Sequence, residues 1–195
     1  MKTVFRQWIF WVLTGISLPA LAERPSFNYL ELGPTSMEHE TVEGDFKGFE
    51  FTGSYELPDN FYLFTKYVRT DDQDIDMINK YLGIGYHYHL FADTRLILQL
   101  DAAEITFGRQ EAGEFVEKGF QWSVGIKSQL TESLEVEFVA RALDANQVDS
   151  EFGYYRPSFM VLGFHHKIFD DFSIFADFEK GSESDRQVVG IRWDY

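Results

Sequence analysis

The residue types able to do chemistry in this chain are a few histidines and a large set of alternating charges. His87 and His89 form one close pair, His165 and His166 a second, and His39 stands alone in Glu38-His39-Glu40. Imidazoles could ligate a metal or serve as general acids and bases. A shared metal site is disfavoured because the two pairs are far apart in chain order, and around His39 no Ser or Asp arrangement stands out. Polar packing is therefore the expected role of the inward histidines. No catalytic residue and no cofactor is assigned, and the chain is read as a non-enzyme. It has no cysteine, which excludes disulfides and thiolate metal sites.

The elements that must position these groups announce themselves by period-two alternation. Phe49, Phe51, Gly53, Tyr55 and Leu57 alternate with Glu50, Thr52, Ser54 and Glu56, and Leu82, Ile84, Tyr86, Tyr88 and Leu90 alternate with Gly83, Gly85, His87 and His89. Strict alternation over such lengths predicts strands with two chemically different faces. Ten runs can be marked, at 26–36, 46–57, 60–70, 78–90, 94–107, 118–130, 133–144, 157–168, 171–180 and 186–195. Most are longer than ordinary globular strands and close to the about 9–11 tilted residues that cross a bilayer. Short turns follow Leu57, Phe91, Leu130 and Phe169, 34 to 39 residues apart, and longer polar segments lie between them. Short turns at one end and long loops at the other is the asymmetry of outer-membrane barrels.

Residues 1–22 read as a cleaved signal peptide: Lys2 and Arg6 precede an apolar core from Trp8 to Ile16, and Ala20-Leu21-Ala22 fits the cleavage pattern. Residues 23–195 then form a single domain. Cleavage removes two bases and no acid, which takes the formal net charge from -15 to -17 and leaves 30 aromatics. A charge this negative argues against nucleic acid as a partner. So many rings must be buried or embedded, and they are expected mostly on the outside, with Tyr55, Tyr67, Tyr88, Tyr155, Phe178 and Tyr195 near the membrane interfaces.

The opposite face carries nine acids and six bases. A network of Glu50, Lys66, Arg95, Asp101, Lys127, Glu135, Glu137, Arg141, Lys167, Asp177 and Arg192 is expected to pair across a lumen, because unpaired buried charges are costly. Ten strands enclose little more than side chains, whereas water-filled porins use about 16–18. Val189, Ile191, Trp193 and Tyr195 occupy every second position of the final strand and resemble the signal by which the outer-membrane assembly machinery captures barrel proteins. Asp71, Asp72, Asp74 and Asp76 lie in a long loop and are weak surface candidates for a divalent cation, lacking the Gly and distal Glu of a calcium loop.

Phe27-Asn28-Tyr29, the stretch from Gly48 to Tyr55, Asn60-Phe61, the stretch from Tyr81 to Tyr86 and the final Val189-Gly190-Ile191-Arg192-Trp193 resemble the small proteobacterial outer-membrane β-barrel, or porin-family, proteins. The chain ends in Tyr195 where many members end in Phe. The resemblance implies a location and a fold, and it carries no catalytic motif. The expectation is an all-β, closed antiparallel up-and-down transmembrane β-barrel of ten strands, with eight as the alternative if 26–36 and 60–70 are misread. It is expected as a monomer in the cell outer membrane, in contact with its lipid and lipopolysaccharide, and with periplasmic chaperones and the barrel assembly machinery during biogenesis. The role read for it is structural or surface-interacting, with narrow passive passage of small solutes left open. A barrel enzyme acting on lipid A or surface peptides, or an adhesin using its acidic outer loops, is the alternative.

Overall fold

The computed structural model describes residues 25–39, 44–72, 75–109, 113–147, 157–182 and 184–195. Ten strands follow one another: β1 (Tyr29–His39), β2 (Asp45–Glu56), β3 (Phe61–Asp72), β4 (Ile75–Phe91), β5 (Thr94–Arg109), β6 (Gly113–Gln129), β7 (Leu134–Gln147), β8 (Ser158–Phe169), β9 (Phe172–Gly181) and β10 (Ser184–Asp194). The period-two pattern fixes which face turns inward. Along β3, Tyr62, Phe64, Lys66, Val68 and Thr70 are buried while Phe61, Leu63, Thr65 and Arg69 are exposed. Every strand pairs antiparallel with its neighbours in the chain, and β1 pairs with β10 to close the barrel. Closure leaves no open edge, the condition for crossing hydrocarbon without unsatisfied backbone groups. The two weakly alternating runs are β1 and β3, so the eight-strand alternative is excluded.

Several boundaries differ from the sequence reading, and the polar segments 71–76, 108–117 and 181–185, expected as longer loops, are mostly strand. β4 and β6 each run to 17 residues, well beyond what crossing requires, because their hairpins continue past the apolar band at the long-loop end. β1 begins at Tyr29, and the residues just before it turn into the barrel mouth, where Phe27 is buried.

The turns follow from their residues. Asp59 and Asn60 adopt positive φ of 62° and 65°, and Leu57 N–H donates to the Phe61 carbonyl at 2.7 Å. Asp and Asn tolerate this left-handed geometry, which matches the twist of the strands they join. In the turn before β7, Thr131 Oγ1 accepts from the N–H groups of Ser133 and Leu134 at 3.3 and 3.1 Å.

The closing seam has a local gap. The β1–β10 ladder pairs Leu32 with Ile191 and then Thr35 with Val188, skipping Gly33 and Pro34. Proline has no N–H to donate. A Cβ on Gly33 would meet the Val189 carbonyl oxygen at 2.4 Å, and one on Gly190 would meet the Leu32 carbonyl oxygen at 2.3 Å and Phe175 Cε1 at 2.7 Å. Only glycine allows the two backbones to approach this closely.

The interior is not uniformly polar. Met37, Phe46 and Met77, with Ile75 and Phe107, form an apolar layer at the long-loop end, and Ala103, Ile105, Leu143, Ala145 and Phe159 continue it along the adjoining wall. Phe27, Tyr62, Phe64 and Ile97 form a second cluster toward the short turns. Most of the described aromatics do face outward as expected, Phe49, Phe61, Trp122, Phe138 and Trp193 among them, while a minority, with Phe46, Phe64, Phe159 and Phe175, fill the lumen. An acidic chain needs an apolar filling where charges cannot be matched, and rings supply the most volume per residue.

Candidate functional site in the filled lumen

The inward charges gather into two groups. Toward the short turns, Arg192 Nη1 lies 3.0 Å from Glu135 and 3.7 Å from Glu31, and its Nη2 lies 2.7 Å from Asp194. Lys127 Nζ adds contacts of 3.2 Å to Glu135 and 3.7 Å to Glu137. His165 enters the same group, with Nδ1 2.7 Å from Glu135 and Nε2 3.5 Å from Glu31 and 3.9 Å from Asp177. The cations sit on one ring: Lys127 Nζ is 4.8 Å, and the Arg192 guanidinium carbon 4.1 Å, from the centre of Tyr29. Both also donate to the Ser26 carbonyl, at 3.3 and 3.2 Å. This anchors the segment before β1, and Phe27 then stacks on His87 with ring centres 4.2 Å apart.

Beneath the apolar layer lies the second group. Glu50 is held between Lys66 Nζ at 2.6 Å and Arg186, and Arg186 Nη2 reaches Glu179 at 2.9 Å. Arg141 Nη1 meets the same Glu179 oxygen at 3.2 Å. Between the groups, Asp101 accepts from Gln99 Nε2 at 3.0 and 2.8 Å and from Gln121 at 3.3 Å, while Tyr62 O–H donates to Gln99 at 2.9 Å. In a medium where isolated charge is very costly, this is how a lumen carries so many ionised groups: nearly every one has an opposite or a dipole within hydrogen-bonding distance.

The expected network residues thus divide. Glu135, Glu137, Lys127, Asp177 and Arg192 meet at one end, Glu50, Lys66 and Arg141 at the other, and Asp101 is served by amides. Arg95 donates to the carbonyls of Phe91 and Ala92, 3.2 Å each, and so ties down the turn between β4 and β5. Lys167 lines the mouth beside Arg192 and Asp194. Two residues were not anticipated. Arg186 completes the second group, and its even spacing with Val188, Gly190 and Arg192 was a sufficient signal. The sequence run 26–36 places Phe27 in a strand, whereas β1 begins at Tyr29 and Phe27 is buried in the mouth before it.

The histidines also separate. His87 Nε2 lies 3.1 Å from Glu56 Oε1, and the His89 ring lies 5.8 Å from that of His87. His166 points outward and is exposed, and the His39 side chain lies outside the described residues. Among the described residues no group of three or more His, Cys, Asp or Glu could hold a metal ion. Asp71 and Asp76 face each other across β3 and β4, with Arg69 3.6 Å from Asp76. Asp72 ends β3 and Asp76 lies in β4, so the long loop expected there is corrected to two strand ends separated by 73–74, and Asp74 lies outside the described residues.

What remains empty is small. Cavities of about 40 and 30 Å³ lie in the lumen, one of about 100 Å³ opens at the short-turn mouth, and one of about 250 Å³ lies beside Met37 and Phe46 at the long-loop rim. The two lumen spaces suit one or a few waters.

A closed ten-stranded wall, apolar outside and ion-paired inside, defines a small outer-membrane type of β-barrel. No protein-family model matches the chain, and no curated protein matches it. Solved structures similar to it in fold include the NanC porin, at 6% identity and a TM-score of 0.48, over 86% of this chain and 100% of that one. Neisserial surface protein A is similar at 9% identity and a TM-score of 0.47, over 87% and 98%. The N-terminal β-barrel domain of Pseudomonas aeruginosa OprF is similar at 13% identity and 0.46, over 86% and 98%.

Proposed function

We propose that this chain is a monomeric outer-membrane barrel whose role is structural or surface-interacting, with a lumen closed to solutes at rest. The supporting observation is the filling. Among the described residues, two ion-paired groups and two apolar clusters leave cavities of about 40 and 30 Å³ within the lumen, with spaces of about 100 and 250 Å³ at its two ends. A conducting pore would instead need a continuous wet path. In this reading residues 1–22 are a signal peptide removed on export, the short turns and both ends of the mature chain face the periplasm, and the long acidic loops face outward. Val189, Ile191, Trp193 and Tyr195 present the outward face of the last strand to the assembly machinery, which adds strands at an open edge.

The test is single-channel recording on refolded protein in planar bilayers. Flat traces at high protein loading are expected from a barrel that shows heat-modifiable gel migration. Discrete steps from the same preparation would replace this reading with that of a narrow channel.

A further inference from the structure

The outer wall carries its bases at one end. Among the described residues five lysine and arginine side chains point outward and are exposed: Lys47, Arg69, Lys80, Lys118 and Lys180. All five lie on the long-loop halves of their strands. Acids are exposed at both ends, Asp59, Glu132, Asp170 and Asp171 at the short turns and Glu38, Asp45, Asp71, Asp76 and Asp144 at the other, so only the bases are one-sided. The bases are thus available to an anionic ligand only at that end, where Arg69 and Lys180 already meet Asp76 and Asp185.

The densest part of the band stands above a groove. Lys80 on β4, Glu104 on β5 and Lys118 on β6 are register partners in one row across three strands. Glu104 meets Lys80 Nζ at 2.8 Å and Lys118 Nζ at 3.2 Å, so one carboxylate is shared by two ammonium groups about two strand spacings apart, roughly 10 Å at the backbone. Toward the short turns the next row is Leu82, Ala102 and Phe120, and the row after it Ile84, Leu100 and Trp122. Leu82, Phe120 and Trp122 are 66%, 63% and 54% exposed. Ala102 between them offers only a methyl. The result is a concavity of about 900 Å³ on the lipid side of the wall, open to an acyl chain below and bounded by the lysines above. Asp144 on β7 flanks it, which leaves two cations against two carboxylates at the site. A ligand placing more than one anionic group there, with bridging divalent cations between its anions and the two carboxylates, matches this better than a monoanion does.

We propose that the Lys80–Glu104–Lys118 row and the Ala102 groove form a binding site for one phosphorylated acylated glycolipid of the outer leaflet, the lipid A part of lipopolysaccharide. The phosphates engage the two ammonium groups, and an acyl chain lies over Ala102 between Leu82 and Phe120. This rests on the orientation proposed above, with the long-loop end outermost.

The experiment uses the full mature barrel, folded in detergent and checked by heat-modifiable migration. Native mass spectrometry with titrated bisphosphorylated lipid A, in magnesium, is compared for the unaltered protein, K80A/K118A and A102F. All three altered positions face outward, away from the lumen. The unaltered barrel should retain one lipid. The charge variant should bind at least about tenfold more weakly, the loss expected from removing a charge-assisted contact. A102F should also bind more weakly with its charges intact. Equal binding by all three, or equal binding of dephosphorylated lipid A or phosphatidylglycerol, would overturn the proposal. Its failure is separable from that of the outer-membrane reading, which is tested by whether the expressed protein fractionates with outer membranes.

Discussion

The two ends of the lumen are filled by different means. At the short-turn end the seal is borrowed: the segment at Ser26 and Phe27 lies in the mouth, clamped by Lys127 and Arg192 through one backbone carbonyl. At the long-loop end the wall seals itself with Met37, Phe46, Met77 and Phe107. Each end combines an ion-paired group with an apolar cluster, but only at the short-turn end do a foreign carbonyl and aromatic ring complete the charged group. The difference implies that the first end depends on the ionic clamp around a borrowed segment, and the second on packing above a self-contained ion-paired group.

Removing Arg192 tests this most severely. Arg192→Met leaves Glu31, Glu135 and Asp194 facing one another with only Lys127 and His165 beside them, and should cost about 3–5 kcal/mol, the usual effect of breaking a buried pair from one side. Urea titration of the heat-modifiable form measures it. Phe46→Ala at the other end should cost about 3 kcal/mol, through a cavity that the rigid wall cannot close. Arg186→Met should cost less, about 1–3 kcal/mol, because Glu50 keeps Lys66 and Glu179 keeps Arg141. Equal losses from the two arginine variants would show that the ends are not distinct. The smallest effect is on conductance: Phe27→Ala should leave planar-bilayer traces flat, because the far layer still closes the lumen. Steps should appear only when Phe46 and Phe107 are also cut back to alanine.

Much of this was legible in the sequence. The alternation of Phe49 to Leu57 and of Leu82 to Leu90 gave the strands and their parity, and parity placed Glu50, Lys127, Glu135 and Arg192 inside. It could not say that Phe64 and Phe175 share that interior, because β3 and β9 carry large apolar residues on both faces and period two then loses its contrast. Nor could it pair the charges. Arg186 and Glu50 are separated by 136 residues and meet only through the barrel's curvature. Phe27 escaped because a wedge needs no periodicity, only a hole.

The gap at Gly33 and Pro34 bears on time as well as on shape. Every other hairpin in the wall joins chain neighbours, but the seam joins Tyr29 to Asp194, so its contacts are the most distant in sequence and the slowest to find. Its ladder is also the one that skips two rungs. Closure should therefore be the last event in folding and the first to reverse, with amides flanking Gly33 and Gly190 exchanging hydrogen ahead of those in the β4–β5 hairpin. The seam is a latch, and its weakest rungs sit midway along it.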